Sequence, residues 1–516
     1  MEFDVVIAGG GPNGLMLACE LALAGVRPLV LERLTGPSGE QRANGMVGQV
    51  VRMLDRRGLY ERLAGNTTPP RPAPGFMFAA FPLPLWKLPE SPVYLMMVPQ
   101  RRIEEMLAAR AAELGVEVRR GHELTGLTQD AAGVTVEVSG PDGTYVIGAR
   151  FLVGADGGRS LTRKLVGIDF PGVTSDNAVS RSAHVSVPPS LIDKATGGLN
   201  VPGYGVIPQF MHHRTERGLV SFAPFPDGKV MLNVTSFAPA DTSQPFSIDE
   251  LRESFAEVVG VDVPIGPPPG DGPHLLRRLT GGNTRLADRY REGRVLLVGD
   301  AAHVHSAIGG PGLNLGLQDA INLGWKLAAE VRGWAPPGLL DTYESERRPA
   351  GERVTMHTQA QGVLIGPGRE VTALRTLFGE LLEEQSTLQH IADLIAGADL
   401  HYDMGTAATD PLIGRWAPDL VLDNGSGPVR LASLTRSARP LLLDFTGSSL
   451  ADVAAPWRDR VDVVTGRAQA PATALLIRPD GYVAWASTAA EPDPASLRDA
   501  LTHWFGVSSL ASSPAA

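Results

Sequence analysis

The chain has 516 residues, 43% of them hydrophobic and 20% charged, with 59 Gly and 42 Pro. A chain of this length is too long for one hydrophobic core, which predicts two or three domains. The composition is typical of a loop-rich soluble enzyme and not of a disordered or fibrous chain. The formal net charge of −10 at pH 7 argues against a nucleic-acid binder, because a protein that follows phosphates needs a basic face.

Targeting and redox features are sparse. Acids stand at Glu2 and Asp4, where a signal peptide needs a positive segment before an apolar run, and no stretch of ~18 apolar residues follows. We therefore expect a cytoplasmic protein without a membrane segment. Cys19 is the only cysteine, which excludes an intramolecular disulfide, a CxxC redox pair and a cysteine-rich metal site. Redox chemistry must come from a bound cofactor, and we expect no metal.

The N-terminal residues have the order strand, glycine turn, helix, strand. The predicted strands are Phe3 to Ala8 and Val26 to Leu31, and the predicted helix is Leu15 to Ala24. The turn matches G-x-G-x-x-G at three glycines: Gly9, Gly11 and Gly14. This order is the dinucleotide-binding unit of Rossmann-like folds.

Each feature of this unit suits part of a dinucleotide. A diphosphate approaches backbone N–H groups at a helix N-terminus, and a side chain on Gly9 or Gly11 would block it. Glu32, 18 residues after Gly14, can accept hydrogen bonds from both hydroxyls of an adenosine ribose. An ordinary tight turn is the alternative, and the complete unit argues against it.

A second strand runs into glycines at Phe151 to Ser160, with Asp156 and Gly157 at its end. Asp156 or Ser160 also suits the cap of a helix that begins at Leu161. Taken alone, the segment favours this capping interpretation.

A third strand, within Arg294 to His305, ends at Gly299 and Asp300. A carboxylate at position 300 can hold the sugar-like chain of a flavin. A glycine-rich loop and an amphipathic helix follow, and the N-terminal amides of that helix can point at the flavin ring.

Together these motifs resemble the group A flavoprotein monooxygenases, the single-component aromatic hydroxylases with the p-hydroxybenzoate hydroxylase fold. The resemblance spans about the first 350 residues and is closest to the subgroup that oxidises polycyclic aromatic polyketides, of the tetracycline and angucycline type, in antibiotic biosynthesis. It rests on the three glycine motifs and on four further stretches: Ser160 with Arg163, Asp319-Ala320, Trp325-Lys326-Leu327 and Leu340 to Pro349.

The resemblance implies non-covalent FAD, NADPH or NADH as transient reductant, O₂ as co-substrate and a small polycyclic aromatic substrate. It implies hydroxylation by a flavin C4a-hydroperoxide, so we name no catalytic side chain. The implied cofactor-binding positions are Gly9, Gly11, Pro12, Asn13, Gly14, Glu32, Arg33, Arg42, Gln100, Arg102, Asp156, Gly157, Asp300, Pro311, Gly312, Leu313 and Asn314.

In such enzymes the glycine turn and the acid matching Glu32 bind the ADP half of FAD, and Asp300 matches the residue that holds the ribityl hydroxyls. Gln100 and Arg102 match contacts to the ribityl–pyrophosphate part. Arg42 matches an arginine near the flavin and its phosphates, and Asp156 belongs to the motif associated with FAD and the visiting nicotinamide. Solvated surface charge is the alternative for Arg42 and Arg102.

The loop beside the expected flavin ring departs from the family pattern. We call it the ring-side loop, and its residues are Ala307, Gly309, Gly310 and Pro311. Relatives usually have proline at position 307 and glutamine at position 311. Pro311 has no N–H but suits the first turn of a helix, which leaves Gly312, Leu313 and Asn314 as donors. Flavin binding is expected to survive, whereas Ala307 puts flavin mobility and oxygen chemistry in doubt.

We predict an α/β fold with three parts. A Rossmann-like FAD-binding domain is followed by an antiparallel sheet that floors the substrate pocket and by a C-terminal thioredoxin-like domain, which with one cysteine has a structural or oligomeric role. His212 and His213 are interpreted as a hairpin tip, not as a base. The predicted limits are 1–174 with 276–400, 175–275, and 401–516.

Aromatic and methionine side chains also suit a pocket wall for a flat apolar substrate, although core packing explains each of them equally well. They are Phe76, Met77, Phe78, Met96 and Met97.

Two other functions remain open. A Baeyer–Villiger or ring-cleaving oxygenase uses the same fold on a ketone, and a flavin-binding scaffold without oxygenase activity is supported by Ala307 and Pro311. The sequence leaves open the substrate, the site of attack, the preferred nicotinamide and the choice between monomer and homodimer.

Overall fold

The structure is a computed structural model that describes residues 3–37, 43–225, 229–237, 243–271, 274–405, 410–425, 427–447 and 450–508. Its larger sheets are a mostly parallel six-stranded sheet, a second six-stranded sheet that is antiparallel, and a four-stranded sheet near the C-terminus. The elements of the first part are β1 (Val5–Ala8), α1 (Pro12–Leu23), β2 (Pro28–Glu32), β3 (Met46–Val47), α2 (Gln49–Arg56), α3 (Tyr60–Ala64), β4 (Phe76–Phe78), β5 (Phe81–Leu83), β6 (Leu95–Met96), α4 (Gln100–Glu113), β7 (Glu117–Arg120), β8 (Glu123–Gln129), β9 (Val134–Gly140), β10 (Gly143–Ala149), β11 (Phe151–Gly154) and α5 (Leu161–Leu165).

The remaining elements continue in chain order. They are β12 (Gly172–Val185), β13 (Leu199–Val201), β14 (Gly205–Ile207), β15 (His212–Arg214), β16 (Gly218–Pro224), β17 (Val230–Ser236), α6 (Ile248–Val259), β18 (Leu276–Leu286), β19 (Arg291–Glu292), β20 (Val295–Leu297), β21 (His303–Val304), α7 (Pro311–Arg332), α8 (Thr342–Leu364), α9 (Arg369–Leu382), α10 (Gln385–Ala396), β22 (Val421–Asp423), β23 (Pro428–Arg430), α11 (Leu431–Leu434), β24 (Leu441–Asp444), α12 (Leu450–Ala454), β25 (Asp462–Thr465), β26 (Ala474–Ile477), β27 (Val483–Ser487) and α13 (Pro494–Phe505).

The mostly parallel sheet has the strand order β19-β20-β11-β1-β2-β7. The neighbours from β20 to β7 are parallel, and β19 is antiparallel at the edge. This arrangement confirms the Rossmann-like unit predicted from the sequence. The helix α1 begins at Pro12, three residues before the predicted start at Leu15, because a proline is well accommodated in the first turn of a helix.

The two faces of this sheet are covered differently. On one face Val5, Ile7 and Val30 pack with α1, α4 and α7 in the largest buried core. On the other face Val6 and Leu29 pack against the three-stranded sheet β8–β10. Because both faces are buried, the strands are continuously apolar instead of alternating.

The antiparallel sheet has the order β15-β16-β17-β12-β18-β21. Its longest strands are β12 and β18, and it ends on β21, which begins three residues after Asp300. The prediction that His212 and His213 form a hairpin tip is wrong. They lie within the edge strand β15, and the tip is the following turn, where the Thr215 N–H donates to the Gly218 carbonyl at 2.8 Å.

The C-terminal sheet has the order β25-β24-β26-β27, with β24 and β25 parallel and the other pairs antiparallel. A helix lies between β24 and β25, and α13 follows β27. This topology confirms the predicted thioredoxin-like unit. Its turn at Pro479 to Gly481 packs on the first part of the chain, since Arg57 donates to the Pro479 carbonyl at 2.7 Å.

Candidate active site

The glycine turn after β1 leaves room at one position only. Gly9 has φ +114°, and a Cβ atom there would lie 2.3 Å from the Ala155 carbonyl oxygen. A Cβ on Gly14 would lie 2.0 Å from the Gly9 oxygen. Protein packing therefore requires both glycines, whereas a Cβ on Gly11 would meet no atom within 4 Å. The open space at Gly11, at the start of α1, is the space that a diphosphate needs.

Glu32 is fixed beside this turn at the end of β2. Its carboxylate accepts hydrogen bonds from the Gly10 N–H at 2.7 Å and from the Leu34 N–H at 2.8 Å. Each carboxylate oxygen keeps a second lone pair, so the group can still accept hydrogen bonds from ribose hydroxyls.

Asn13 connects the glycine turn to the motif around Asp300. Its side chain fills the space that two glycines leave, since a Cβ on Gly299 or Gly316 would lie 2.0 or 2.2 Å from Asn13 Nδ2. The Asn13 Oδ1 atom is buried and has no hydrogen-bond partner among the described residues. A buried acceptor without a partner is costly, and a bound hydroxyl group or water would satisfy it.

Asp156 and Ser160 both act as helix caps, as the simpler interpretation of the sequence holds. Asp156 Oδ2 accepts from the Thr162 N–H at 3.0 Å and from its hydroxyl at 2.9 Å, and Ser160 Oγ accepts from the Arg163 N–H at 2.9 Å. The other carboxylate oxygen, Asp156 Oδ1, is buried without a partner in the described part of the chain. Arg163 donates to the Ala301 carbonyl at 2.7 Å and so joins this motif to the next.

The three glycine motifs meet at the carboxyl ends of adjacent parallel strands. Asp300 lies in a single 3₁₀ turn after β20, is half-buried, and accepts no hydrogen bond from the described residues. The Ala155 N–H donates to the Ala8 carbonyl at 2.8 Å, and the Val298 N–H to the Gly154 carbonyl at 3.0 Å. These contacts place the loops after β1, β11 and β20 side by side, where open α/β sheets bind ligands.

The ring-side loop ends at the N-terminus of α7. Gly309 and Gly310 have φ of +76° and +68°, and Pro311 is the first helical residue. The Asn314 side chain is occupied, because its Oδ1 accepts from the Val47 N–H at 3.0 Å and its Nδ2 donates to the Gly310 carbonyl at 2.7 Å. Free donors in the first turn are therefore backbone amides and not this side chain.

The other predicted contact residues differ in their exposure and in their place in the fold. Arg33 and Arg102 are exposed, and Gln100 is half-buried with its Nε2 donating to Glu104 Oε1 at 2.7 Å. Pro12 is the first residue of α1, and Gly157 has φ +82°. Arg42 lies outside the described residues.

Two histidines beside the ring-side loop were not singled out from the sequence. His305 Nδ1 lies 2.9 Å from the Ser306 carbonyl oxygen, and its buried Nε2 has no partner among the described residues. His357 Nδ1 on α8 lies 3.2 Å from Gln361 Nε2. Burial lowers the pKa of each histidine to about 4, so both are neutral at pH 7.

The buried His357 should make stability depend on pH. Because its folded pKa lies below the unfolded value of 6.5, the unfolded chain binds more protons between about pH 6.5 and 4, and the free energy of unfolding falls as the pH drops through this window. Between pH 7 and pH 4.5 the free energy of unfolding should fall in both proteins. We expect the fall in His357→Gln to be smaller than in wild type by on the order of 2 kcal/mol. Urea unfolding at both pH values measures this, with exposed His401→Gln as control. Equal losses in wild type and His357→Gln would contradict it.

The antiparallel sheet has one apolar face and one polar face. Ala183, Phe222 and Leu232 point toward α6, where they pack with Leu251 and Phe255. The strand registers place a continuous row of polar residues on the opposite face. In order across five strands the row is His212, Ser221, Asn233, Ser182 and Arg277.

This polar face lies on the side of the ring-side loop. Arg214, two residues beyond His212 and hence on the same face, donates to the Gly366 carbonyl at 2.8 Å, just after α8. One turn earlier on α8, Gln361 Nε2 would lie 3.6 Å from a Cβ on Gly309. The end of α8 therefore joins the polar face to the loop where the flavin ring is expected.

The predicted aromatic wall divides into core and open positions. Phe78 is buried and stacks on Phe378 with ring centroids 5.9 Å apart, and Met96 belongs to the main core. Met97 is 71% exposed. Core packing thus accounts for Phe78 and Met96, and Met97 alone of these three is open to a ligand.

Comparison with known proteins agrees with this geometry. Residues 2–358 match the FAD binding domain family, and residues 410–508 match the aromatic-ring hydroxylase C-terminal family. The chain is 44% identical to the 12-dehydrotetracycline 5-monooxygenase/anhydrotetracycline 6-monooxygenase of Streptomyces rimosus subsp. rimosus, over 98% of this chain and 99% of the relative. It is 38% identical to the dialkyldecalin synthase of Streptomyces rugosporus, over 98% and 99%. The solved anhydrotetracycline hydroxylase from Streptomyces rimosus aligns with TM-score 0.84 and 41% identity, covering 98% of this chain and 100% of that one.

The fold and the site define an FAD-dependent flavoprotein of the group A aromatic hydroxylase type. The chain belongs to the FAD binding domain family and has the C-terminal domain of the aromatic-ring hydroxylases. The residues at the three motifs fit FAD, since they offer an open diphosphate position at Gly11 and unpartnered acceptors at Asn13 and Asp156. Among the described residues, no helix is long and apolar enough to cross a membrane.

Proposed function

We propose that this chain is an NAD(P)H-dependent monooxygenase that inserts one oxygen atom of O₂ into a polycyclic aromatic substrate of the polyketide type. The bound flavin supplies the oxidising chemistry, and the protein binds and orients the substrate and keeps water away. The observation that supports the substrate class is the polar face of the antiparallel sheet. A flat ring system with several hydroxyl or carbonyl oxygens needs such a row of donors and acceptors over a broad surface.

Within this proposal, FAD binds at the predicted positions. The glycine turn and Glu32 hold the ADP half, and Asp300 holds the ribityl hydroxyls. Gln100 and Arg102 contact the ribityl–pyrophosphate part of FAD, and Arg42 is the arginine expected near the flavin and its phosphates. Amides in the first turn of α7 stabilise negative charge on the pyrimidine side of the reduced flavin. The same proposal includes the division into three domains, reduction by NADPH or NADH, a monomeric or homodimeric state and a cytoplasmic location.

Turnover under ¹⁸O₂ tests the reaction. Purified protein is mixed with NADPH or NADH and a tetracyclic phenol of the anhydrotetracycline type, and the product is analysed by mass spectrometry. We expect one ¹⁸O atom in a new phenolic or alcoholic hydroxyl group, with one nicotinamide oxidised per product. A labelled lactone or ester would instead identify the Baeyer–Villiger alternative. Nicotinamide oxidation that yields only H₂O₂ with every tested phenol would contradict the proposal.

The polar row should determine substrate affinity. Asn233 Nδ2 donates to Ser182 Oγ at 2.7 Å in the middle of the row. We expect Asn233→Leu to raise the KM for the aromatic substrate about tenfold, since one polar contact to a ligand is worth ~1.5 kcal/mol, and to leave FAD affinity unchanged. Asn200→Leu, the same change at an exposed asparagine of β13, is the control. Equal KM values for the two variants would show that the row does not contact the substrate.

A flavin-binding protein without oxygenase activity is the second candidate. Ala307 and Pro311 alter the ring-side loop, and a relative of 38% identity is named a dialkyldecalin synthase, not an oxygenase. Anaerobic mixing with NADPH and NADH separates the candidates. Loss of the visible flavin absorbance in the presence of substrate would favour the monooxygenase, whereas flavin that neither nicotinamide reduces would favour this second function.

A further inference from the structure

A buried chain of hydrogen bonds begins beside Asp300. Asp319 on α7 is fully buried, and its Oδ2 accepts from the Gly299 N–H at 3.2 Å and from His303 Nε2 at 2.6 Å. Its Oδ1 accepts from Arg347 Nε at 2.8 Å. The Asp319 carboxylate thus orients the Val298–Gly299 peptide group, one residue before Asp300, and the His303 ring, three residues after it.

The chain continues into the C-terminal unit through Arg347. The Nη1 of Arg347 donates to the Tyr402 hydroxyl at 2.8 Å. The Tyr402 ring stacks on Tyr482 with centroids 4.1 Å apart and planes inclined by 25°. Both tyrosines belong to the hydrophobic core of the C-terminal unit. Four side chains therefore connect the loop that holds Asp300 to the start of β27.

The Tyr482 end of this row of contacts is held in place by an ion pair. Tyr482 follows the turn at Pro479 to Gly481, and Arg478 before that turn donates to both Glu346 oxygens at 2.7 Å. Glu346 is the neighbour of Arg347 on α8. The same helix therefore holds both the turn and the arginine that reaches Asp319.

The charges along the chain are matched. Burial alone would raise the pKa of Asp319, but His303 and Arg347 more than offset this and lower it, so the carboxylate is ionised. Buried ion pairs often stabilise a fold no more than apolar packing does, and fixing one geometry is their better-attested role. An ionised pair next to a ligand-binding loop suits that role.

We propose that the C-terminal unit is a positioning element for the flavin, and that Tyr402 acts through Arg347 and Asp319 to fix the Val298–Gly299 peptide, one residue before Asp300. With a single cysteine in the chain, the thioredoxin-like unit has no dithiol chemistry, and this contact gives it a function toward the cofactor. Tyr402 and Arg347 are positioning residues, since each acts through Asp319.

Two variants test the proposal. Tyr402→Phe keeps the stack on Tyr482 and removes only the hydroxyl that Arg347 contacts. Arg347→Lys keeps the charge and removes the fork that spans Asp319 and Tyr402. The control is Ser496→Ala, which breaks the 3.1 Å hydrogen bond from Trp485 Nε1 within the same unit. Ser496 contacts none of the four side chains from Asp319 to Tyr482. FAD titration of the apoprotein and visible circular dichroism of the bound flavin are measured with the thermal midpoint.

We expect Tyr402→Phe to raise the Kd for FAD about fivefold and to change the flavin dichroism, and Arg347→Lys to do so more strongly. Ser496→Ala should lower the thermal midpoint without either effect. An unchanged Kd and spectrum in Tyr402→Phe would overturn the proposal. An equal rise of the Kd in Ser496→Ala would also overturn it. If Arg347→Lys does not fold, the result for Tyr402→Phe decides. Because FAD binding is measured without turnover, a failure of the proposed monooxygenase reaction leaves this test intact.

Discussion

Gly11→Val is expected to abolish FAD binding while the apoprotein folds as stably as wild type. Gly11 has φ −74° and ψ −177°, an extended conformation that valine adopts readily, and a Cβ at this position meets no protein atom within 4 Å. The protein itself gives no reason for a glycine here. If the diphosphate occupies that space, the valine side chain excludes it. We therefore expect the Kd for FAD to rise by about 100-fold or more.

The matched control is Gly282→Val. Gly282 lies in β18, and a Cβ there also meets no atom within 4 Å. Fluorescence titration with FAD and urea unfolding of the apoprotein should separate the two variants in affinity but not in stability. If Gly11→Val bound FAD like wild type, the diphosphate would have to lie elsewhere. Gly14→Ala is a weaker test, because it disturbs the fold directly.

Arg478→Met is expected to produce the largest loss of stability. Arg478 is 1% exposed, bonds both oxygens of Glu346 and also Asp480, and lies 4.5 Å from the centroid of Trp504. Methionine fills much of the volume, but it leaves the buried Glu346 carboxylate with Lys326 and removes the ion pair of the buried Asp480 carboxylate. Breaking a buried ion pair from one side costs about 3–5 kcal/mol.

Urea unfolding of the apoprotein measures this loss. Arg62→Met is the control, since Arg62 forms a similar two-point contact with Glu113, at 2.7 and 2.9 Å, on the exposed surface. Solvent screens an exposed pair, so this variant should unfold close to wild type. Similar unfolding midpoints for Arg478→Met and Arg62→Met would mean that the ion pairs of Arg478 with Glu346 and Asp480 contribute little to the stability of the fold.

The sequence predicts those features of the fold that depend on local pattern. The run of Val5–Ala8 into Gly9 defines the first strand and turn without reference to any distant residue, and the strands of the C-terminal unit are equally apolar and short. The turn at Pro479 to Gly481 follows from its residue types alone. The same local logic identifies Asp156 and Ser160 as caps.

Features that depend on register or on distant contacts were not predictable. The row through Asn233 exists because five strands pair in one alignment, which no single segment specifies. Asp319 and Arg347 lie on different helices, and their contact with Tyr402 depends on how the C-terminal unit docks. His212 was misplaced because polar residues before a turn resemble the turn itself, and only pairing with Ser221 assigns it to a strand.

A structure of the chain with FAD bound shows whether the three motifs hold the cofactor as proposed. We expect electron density for one FAD per chain, with its diphosphate against the N-terminus of α1 at Gly11 and its ribityl hydroxyls within hydrogen-bonding distance of Asp300. Density for the flavin at another place, or crystals that stay colourless in excess FAD, would contradict it.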